Sequence, residues 1–141
     1  IPIWSRKLFL ILKKNNPMLQ TGLTYSLEKT VAASDSANAY GSGMVDVLAT
    51  PAMIGFMEKT CMQLALEHLE PGFNTVGIAV DITHDKATPI GMKISCIASL
   101  LEINGKILKF HVEVFDEQGK AGAGFHTRAI INVEKFMAKL K

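Results

Sequence analysis

Residues 50 to 72, TPAMIGFMEKTCMQLALEHLEPG, set the architecture of the chain. They make the one long helix the sequence supports. Thr50 suits an N-cap, Pro51 suits the first helical position, and Glu70-Pro71-Gly72 ends the run near residue 69. Its polar residues Lys59, Gln63, Glu67 and Glu70 recur at helical spacing and make one narrow solvent stripe. The rest of its surface is apolar, so it must be covered by something larger than another helix.

The residues beyond 72 supply the cover, because there the apolar period changes from helical to two. Val76, Ile78, Val80 and Ile82 alternate with smaller or polar residues over 75–83, predicting a strand with one apolar face. Residues 92–103 form a second strand, and Asn104-Gly105 is a strong hairpin signal. A third strand over 106–115 puts Leu108, Phe110, Val112 and Val114 on one face. After a turn at 116–120 (DEQGK) comes a long last strand over 122–133, then a short helix over 134–141. Upstream, 22–31 alternates loosely as a strand, and 32–49 is a small, Gly-containing loop or lid with one helical turn. The sum is an α+β domain in which a curved antiparallel sheet of about five strands wraps one central helix.

The totals agree with a single domain. The 141 residues suffice for one core, and 48% hydrophobic against 20% charged residues excludes a disordered chain and leaves apolar surface for an obligate dimer. Four of the fifteen bases lie in residues 1–17, leaving eleven against thirteen acids over 18–141, a net charge of −2. No basic surface for nucleic acid remains. Residues 1–17 (IPIWSRKLFLILKKNNP) read as an upstream extension, vector-derived or from a mis-assigned start, with Met18 as the natural beginning. Their apolar run, 8–12, is too short to cross a bilayer, and a surface anchor is the rival reading. Cys61 and Cys96 lie in apolar stretches without metal-ligand spacing, as free thiols do in a reducing, cytoplasmic setting.

Three kinds of residue carry possible chemistry. Glu58 stands apart from the helix's polar stripe, roughly 180° from Glu67, with Ile54 and Met62 as its i±4 neighbours. A carboxylate there is either a functional base or nucleophile or a bridged residue at a dimer seam. His84 ends the 75–83 strand in phase with Val80 and Ile82, so it faces inward beside a loop, as an acid–base group or a structural histidine. Of the others, His68 suits the end of the helix, His111 shares the solvent phase of Lys109 and Glu113, and His126 falls in the last strand. Arg128, in phase with His126, can hold an anion or an interface acid. A P-loop, a G-x-S-x-G elbow and zinc spacing are all missing.

Read together, ATPAMIGFMEKTC (49–61), HLEPG (68–72), TVGIAVDITHDKATPIGMKI (75–94) and HTRAIINVEKF (126–136) resemble the fluoroacetyl-CoA-thioesterase-like branch of the hotdog thioesterases. The resemblance runs from about residue 23 to the end, and its motifs occur in the family's order and spacing. It implies a hotdog fold over residues 18–141. It also implies hydrolysis of an acyl-CoA, expected to be a small one, by a homodimer or tetramer without a cofactor, metal or membrane. By position it places the catalytic roles on Thr50, Glu58 and His84, and substrate contacts on the Gly77 backbone and Arg128. The aromatics that gate the acyl pocket in the fluoroacetyl-selective member correspond to Gly41 and Met44, so its acyl selectivity is not carried over. Two other functions fit the pattern less well. A non-catalytic acyl-CoA binder has no need of Thr50, Glu58 and His84 together. An acyl-CoA hydratase or dehydratase would need an Asp/His pair, for which the chain offers Asp81 and His84 out of phase.

Overall fold

The computed structural model describes residues 18–141, so the reading of residues 1–17 as an extension lies outside the described residues. Strand β1 (Thr24–Thr30) leads into a 3₁₀ turn (Ala33–Asp35), a short helix α1 (Ala37–Tyr40) and the long helix α2 (Thr50–Leu66). Four strands come next, β2 (Phe73–His84), β3 (Lys93–Asn104), β4 (Ile107–Asp116) and β5 (Gly119–Asn132), and then α3 (Val133–Ala138). The five strands form one antiparallel sheet in the order β1-β3-β4-β5-β2, leaving β2 at an edge. The α+β arrangement expected from the sequence is the one observed.

Burial explains why the sheet curls around α2. Met53, Phe56, Met57, Cys61, Leu64 and Ala65 of the helix are buried against alternate residues of β3 (Ile94, Cys96, Ala98, Leu100) and β4 (Leu108, Phe110, Val112, Val114). Each large apolar side chain removed from water there contributes about 1.5–3 kcal/mol. Thr60, buried in mid-helix, satisfies its hydroxyl on Phe56 O at 2.8 Å. The wrap tightens where β5 pairs with the end of β2. A Cβ on Gly122 would stand 2.5 Å from Thr83 O and 2.7 Å from Met53 Cε, so only glycine lets strand and helix approach this closely.

Three local expectations need correction. The N-cap of α2 is Ala49, and Thr50 is already helical, with Pro51 behind it. The helix ends at Leu66 rather than residue 69, because His68 N and Leu69 N bond back only three residues, to Ala65 O and Leu66 O. The third correction concerns β2, whose alternation breaks at a bulge. Its register on β5 runs Gly77↔Arg128 and then Ala79↔Thr127, leaving Ile78 over. Thr75 and Gly77 therefore share the inner face before the bulge, and Val80, Ile82 and His84 share it afterwards, so Val76 and Ile78 do not join one continuous apolar face.

The two hairpins also differ in detail from the sequence reading. Asn104 pairs with Ile107, so the β3–β4 turn is Gly105-Lys106, and Gly105 takes the positive φ (61°). Glycine in the first turn position is the type II′ pattern, shifted one residue from an Asn-Gly turn. Asp116 pairs with Gly119 across the β4–β5 turn.

Candidate active site

The segment ahead of α2 is held by its own polar groups. Asp35 accepts from Ala32 N at 2.8 Å and pairs with Lys29 at 2.9 Å, while Ser36 Oγ caps α1 through Ala39 N at 3.1 Å. Ala49 N then bonds to Asp35 O and Leu48 N to Thr88 O, both at 2.8 Å. These bonds deliver Thr50 to the end of β2, where its Oγ1 lies 2.8 Å from His84 Nδ1. Because Thr50 is not the cap, its hydroxyl is not taken up by the helix's first amides. The other ring nitrogen, His84 Nε2, is buried and has no partner among the described residues. A cavity of about 380 Å³ opens beside this pair, lined by Ala37, Ser42, Gly43, Val45, Val47, Leu48 and Lys86. Met44, one of the two positions matched to pocket aromatics, is instead 93% exposed.

Glu58, Gly77 and Arg128 gather elsewhere, on the inner face of β2 and β5. Arg128 is 5% exposed and engages all three guanidinium nitrogens: Nε donates to Thr75 Oγ1 at 2.7 Å and Nη2 to Thr75 O at 2.8 Å. Nη1 donates to His126 Nε2 at 3.1 Å and stands 3.7 Å from Glu58 Oε2. Burial lowers the guanidinium's pKa, and the Glu58 carboxylate works against that shift. His126 is fully buried and donates Nδ1–H to Ala79 O, just past the bulge, at 2.9 Å. With its Nε2 accepting from Arg128 the ring is neutral, and burial, followed in the same direction by the charge of Arg128, holds its pKa below the ordinary value. Glu58 faces this group with 41% of its side chain exposed.

Gly77 is where all three approach the backbone. A Cβ there would meet Glu58 Oε2 at 2.8 Å, His126 Cε1 at 3.1 Å and Arg128 Nη1 at 3.4 Å. Sequence reasoning named Glu58, Gly77 and Arg128 but missed Thr75 and His126. The phase shared by His126 and Arg128 was the available signal, and it became decisive only once the bulge turned Thr75 inward.

The chain thus forms two groups and does not join them. Thr50 and Glu58 lie eight residues apart on one helix, about 12 Å at 1.5 Å per residue. Gly77 and His84 lie seven apart on one strand, about 23 Å at 3.3 Å per residue. Asp81 is opposite Phe125 on the outer face, away from His84, so the Asp/His pair of a hydratase is not assembled. The thiols are no substitute nucleophiles: Cys61 and Cys96 are buried and free, and burial pushes Cys96 up to about 11 and Cys61 higher still. Among the described residues no group of three or more His, Cys, Asp and Glu is placed to hold a metal ion. None of the described helices is long and apolar enough to cross a membrane.

Comparison with known proteins adds the family. The sequence profile of the fluoroacetyl-CoA-specific thioesterases matches residues 31–134. The fluoroacetyl-CoA thioesterase of Streptantibioticus cattleyicolor is 38% identical over 96 residues, which are 68% of this chain and 69% of that protein. Among solved structures, a variant of a fluoroacetyl-CoA thioesterase in complex with acetyl-CoA superposes with a TM-score of 0.82 at 30% identity, over 86% of this chain and 96% of that one. A hot-dog-like protein from Thermanaerovibrio acidaminovorans, 16% identical, shares the fold with a TM-score of 0.78 over 92% of this chain and 93% of its own. The five-stranded sheet wrapped on α2 is a hotdog fold, and the chain belongs to the fluoroacetyl-CoA-specific thioesterase family of thioester hydrolases.

Proposed function

We propose that the protein hydrolyses short-chain acyl-CoA thioesters to a carboxylic acid and CoA, in a site built between two copies of the chain. Thr50 and His84 come from one copy, and Glu58, Gly77 and Arg128 from the other. The observation that carries this reading is the separation of the two groups along β2, an edge strand that leaves Ile78 and Val80 exposed at 54% and 43%. A two-fold antiparallel pairing of β2 with a second β2, centred on Val80 or Asp81, brings His84 level with the Gly77 bulge of the partner subunit, and so beside its Glu58.

In that arrangement the thioester carbonyl lies at the Gly77 bulge, where main-chain N–H groups are released from the ladder and can polarise the oxygen. The Glu58 carboxylate either takes a proton from the water that attacks the carbonyl carbon or attacks it directly, forming an anhydride that water then hydrolyses; in both routes the C–S bond breaks. His84, oriented by Thr50, gives a proton to the departing CoA thiolate and regains one from Glu58 or from the attacking water. Arg128, fixed by Thr75 and His126, sets the field around Glu58. A cavity of about 380 Å³ beside the Thr50–His84 pair has room for the acyl group.

Thiol release from a panel of acyl-CoAs, acetyl to decanoyl, by the wild type and Glu58→Ala tests the reading. It predicts turnover of short members and a loss of about 10²-fold or more in the variant, the scale of a lost acid–base group. Binding of acyl-CoA without turnover of any member would make the protein a binder instead.

A further inference from the structure

Asp116 ends β4 in phase with the inward-facing Val112 and Val114, and the proposed hydrolysis makes no use of it. Its side chain has no exposed surface. Its carboxylate accepts five hydrogen bonds: two from Lys86 Nζ, the one to Oδ1 at 2.6 Å, one from Thr88 Oγ1 at 2.8 Å, and one each from Gln118 N and Gly119 N at 2.7 and 3.1 Å. Two of these anchor it in the β4–β5 turn, and the other three reach into the segment just after His84. The pKa shift agrees with the geometry: burial raises it, and the bonds from Lys86, Gln118 N and Thr88 outweigh burial and lower it.

The connections beyond Asp116 converge on one point. Thr88, whose hydroxyl bonds to Asp116, gives its carbonyl to Leu48 N at 2.8 Å, and Val47 bridges to Pro89. Leu48 and Ala49 lead directly into Thr50. On the other arm, Asp85 N and Lys86 N both bond to Ala121 O, at 2.7 and 3.1 Å, immediately after His84. The chain on either side of the Thr50–His84 bond is therefore tied to one buried carboxylate, through Thr88 on one side and Lys86 on the other. A buried ion is a poor choice for stability alone, since apolar residues of like volume do as well. What it gives here is a fixed distance between two segments far apart in sequence.

We propose that Asp116 and Thr88 are positioning residues that hold the Thr50 hydroxyl against the His84 ring. The proposal deepens the thioesterase reading and rests on it for its kinetic consequence, whereas the geometry can be tested without turnover. A hydroxyl–imidazole contact displaced by an ångström is costly in rate and nearly neutral in binding.

Thr88→Val removes the hydroxyl with little change in volume, Thr88→Ser restores it, and Asp116→Asn removes the charge. Expected for Thr88→Val is a fall in kcat of about ten-fold with KM within about two-fold, and recovery in Thr88→Ser. The second readout is the ¹⁵N signal of the His84 ring, which reports the bond at Nδ1. It should change in Thr88→Val and Asp116→Asn and return in Thr88→Ser. If Asp116→Asn does not fold, Lys86→Met, at a side chain one-third exposed, takes its place. An unchanged His84 signal in the folded variants overturns the proposal whether or not the wild type turns over acyl-CoA. An unchanged kcat in a working enzyme does the same. A wild type that hydrolyses no acyl-CoA, with the His84 signal responding as expected, would fault the thioesterase reading and leave the positioning intact.

Discussion

Thr50 Oγ1 lies 2.8 Å from His84 Nδ1, and the bond exists because Thr50 is the first residue within α2 instead of its cap. A capping hydroxyl would be committed to the helix's own amides, and this one is committed to the imidazole. Capping the helix and bonding the histidine, which compete for one hydroxyl in the sequence, are separated in the fold by a shift of one residue.

That shift has a measurable consequence. Thr50→Ala should lower kcat by about 10²-fold, while Thr50→Ser keeps it within about ten-fold. Loss of a true N-cap costs about 1 kcal/mol, whereas Thr50→Ala should leave the unfolding free energy within about 0.5 kcal/mol of wild type. Thiol release and urea denaturation of the same three proteins check both halves.

Gly77→Ala tests the crowded junction. The added methyl would fall 2.8 Å from Glu58 Oε2 and 3.1 Å from His126 Cε1. Glu58 is partly exposed and can swing away, whereas His126 is held between Ala79 O and Arg128. The expected outcome is a folded protein with Glu58 displaced and kcat/KM reduced by about ten-fold or more. Steady-state kinetics with a melting curve decides it. Full activity would mean that close approach at Gly77 plays no part in the reaction.

His126 gives the fold a pH dependence. In the folded chain its ring is neutral with a lowered pKa, facing Arg128 and, beyond it, Glu58. Once unfolded, it titrates near its ordinary 6.5 and takes up a proton that the folded chain resists. Its contribution to stability is therefore present above that value and falls as the pH drops through it towards the folded value. Thermal denaturation at about pH 7.5 and about pH 5 should show a smaller acid-induced loss in His126→Gln than in the wild type. Equal losses would mean that His126 is not the group responsible.

Much of the fold could be read from the chain because two periodicities meet at Pro71-Gly72. The apolar helix and the alternation of 108–114 are strong local signals, and burial of Phe110, Val112 and Val114 beneath α2 results from them. The bulge at Ile78 was not legible, since apolar residues alternate straight through it and only the register on β5 reveals the extra residue. It also hid the cluster, because Thr75 turns inward only ahead of a bulge. Glu58 could be picked out by its place opposite the polar stripe, and Arg128 by its phase with His126. Asp116 could not: in sequence it belongs to a turn, DEQGK, and its partners Lys86 and Thr88 come from about thirty residues earlier. Contacts of that range are set by how strands stack in the sheet, which local pattern does not encode.

The proposed mechanism requires each site to take Thr50 and His84 from one chain and Glu58 from the other. Mixing His84→Ala with Glu58→Ala, after dissociation and reassociation, puts that requirement to the test. Each protein alone has no complete site, but a mixed dimer has one, formed by His84 of the Glu58→Ala chain and Glu58 of the His84→Ala chain. Random reassociation makes about half the dimers mixed, so thiol release should recover to about one quarter of the wild-type rate. A mixture that stays as inactive as its two components, with mixed dimers demonstrated by mass, would contradict a site shared between chains.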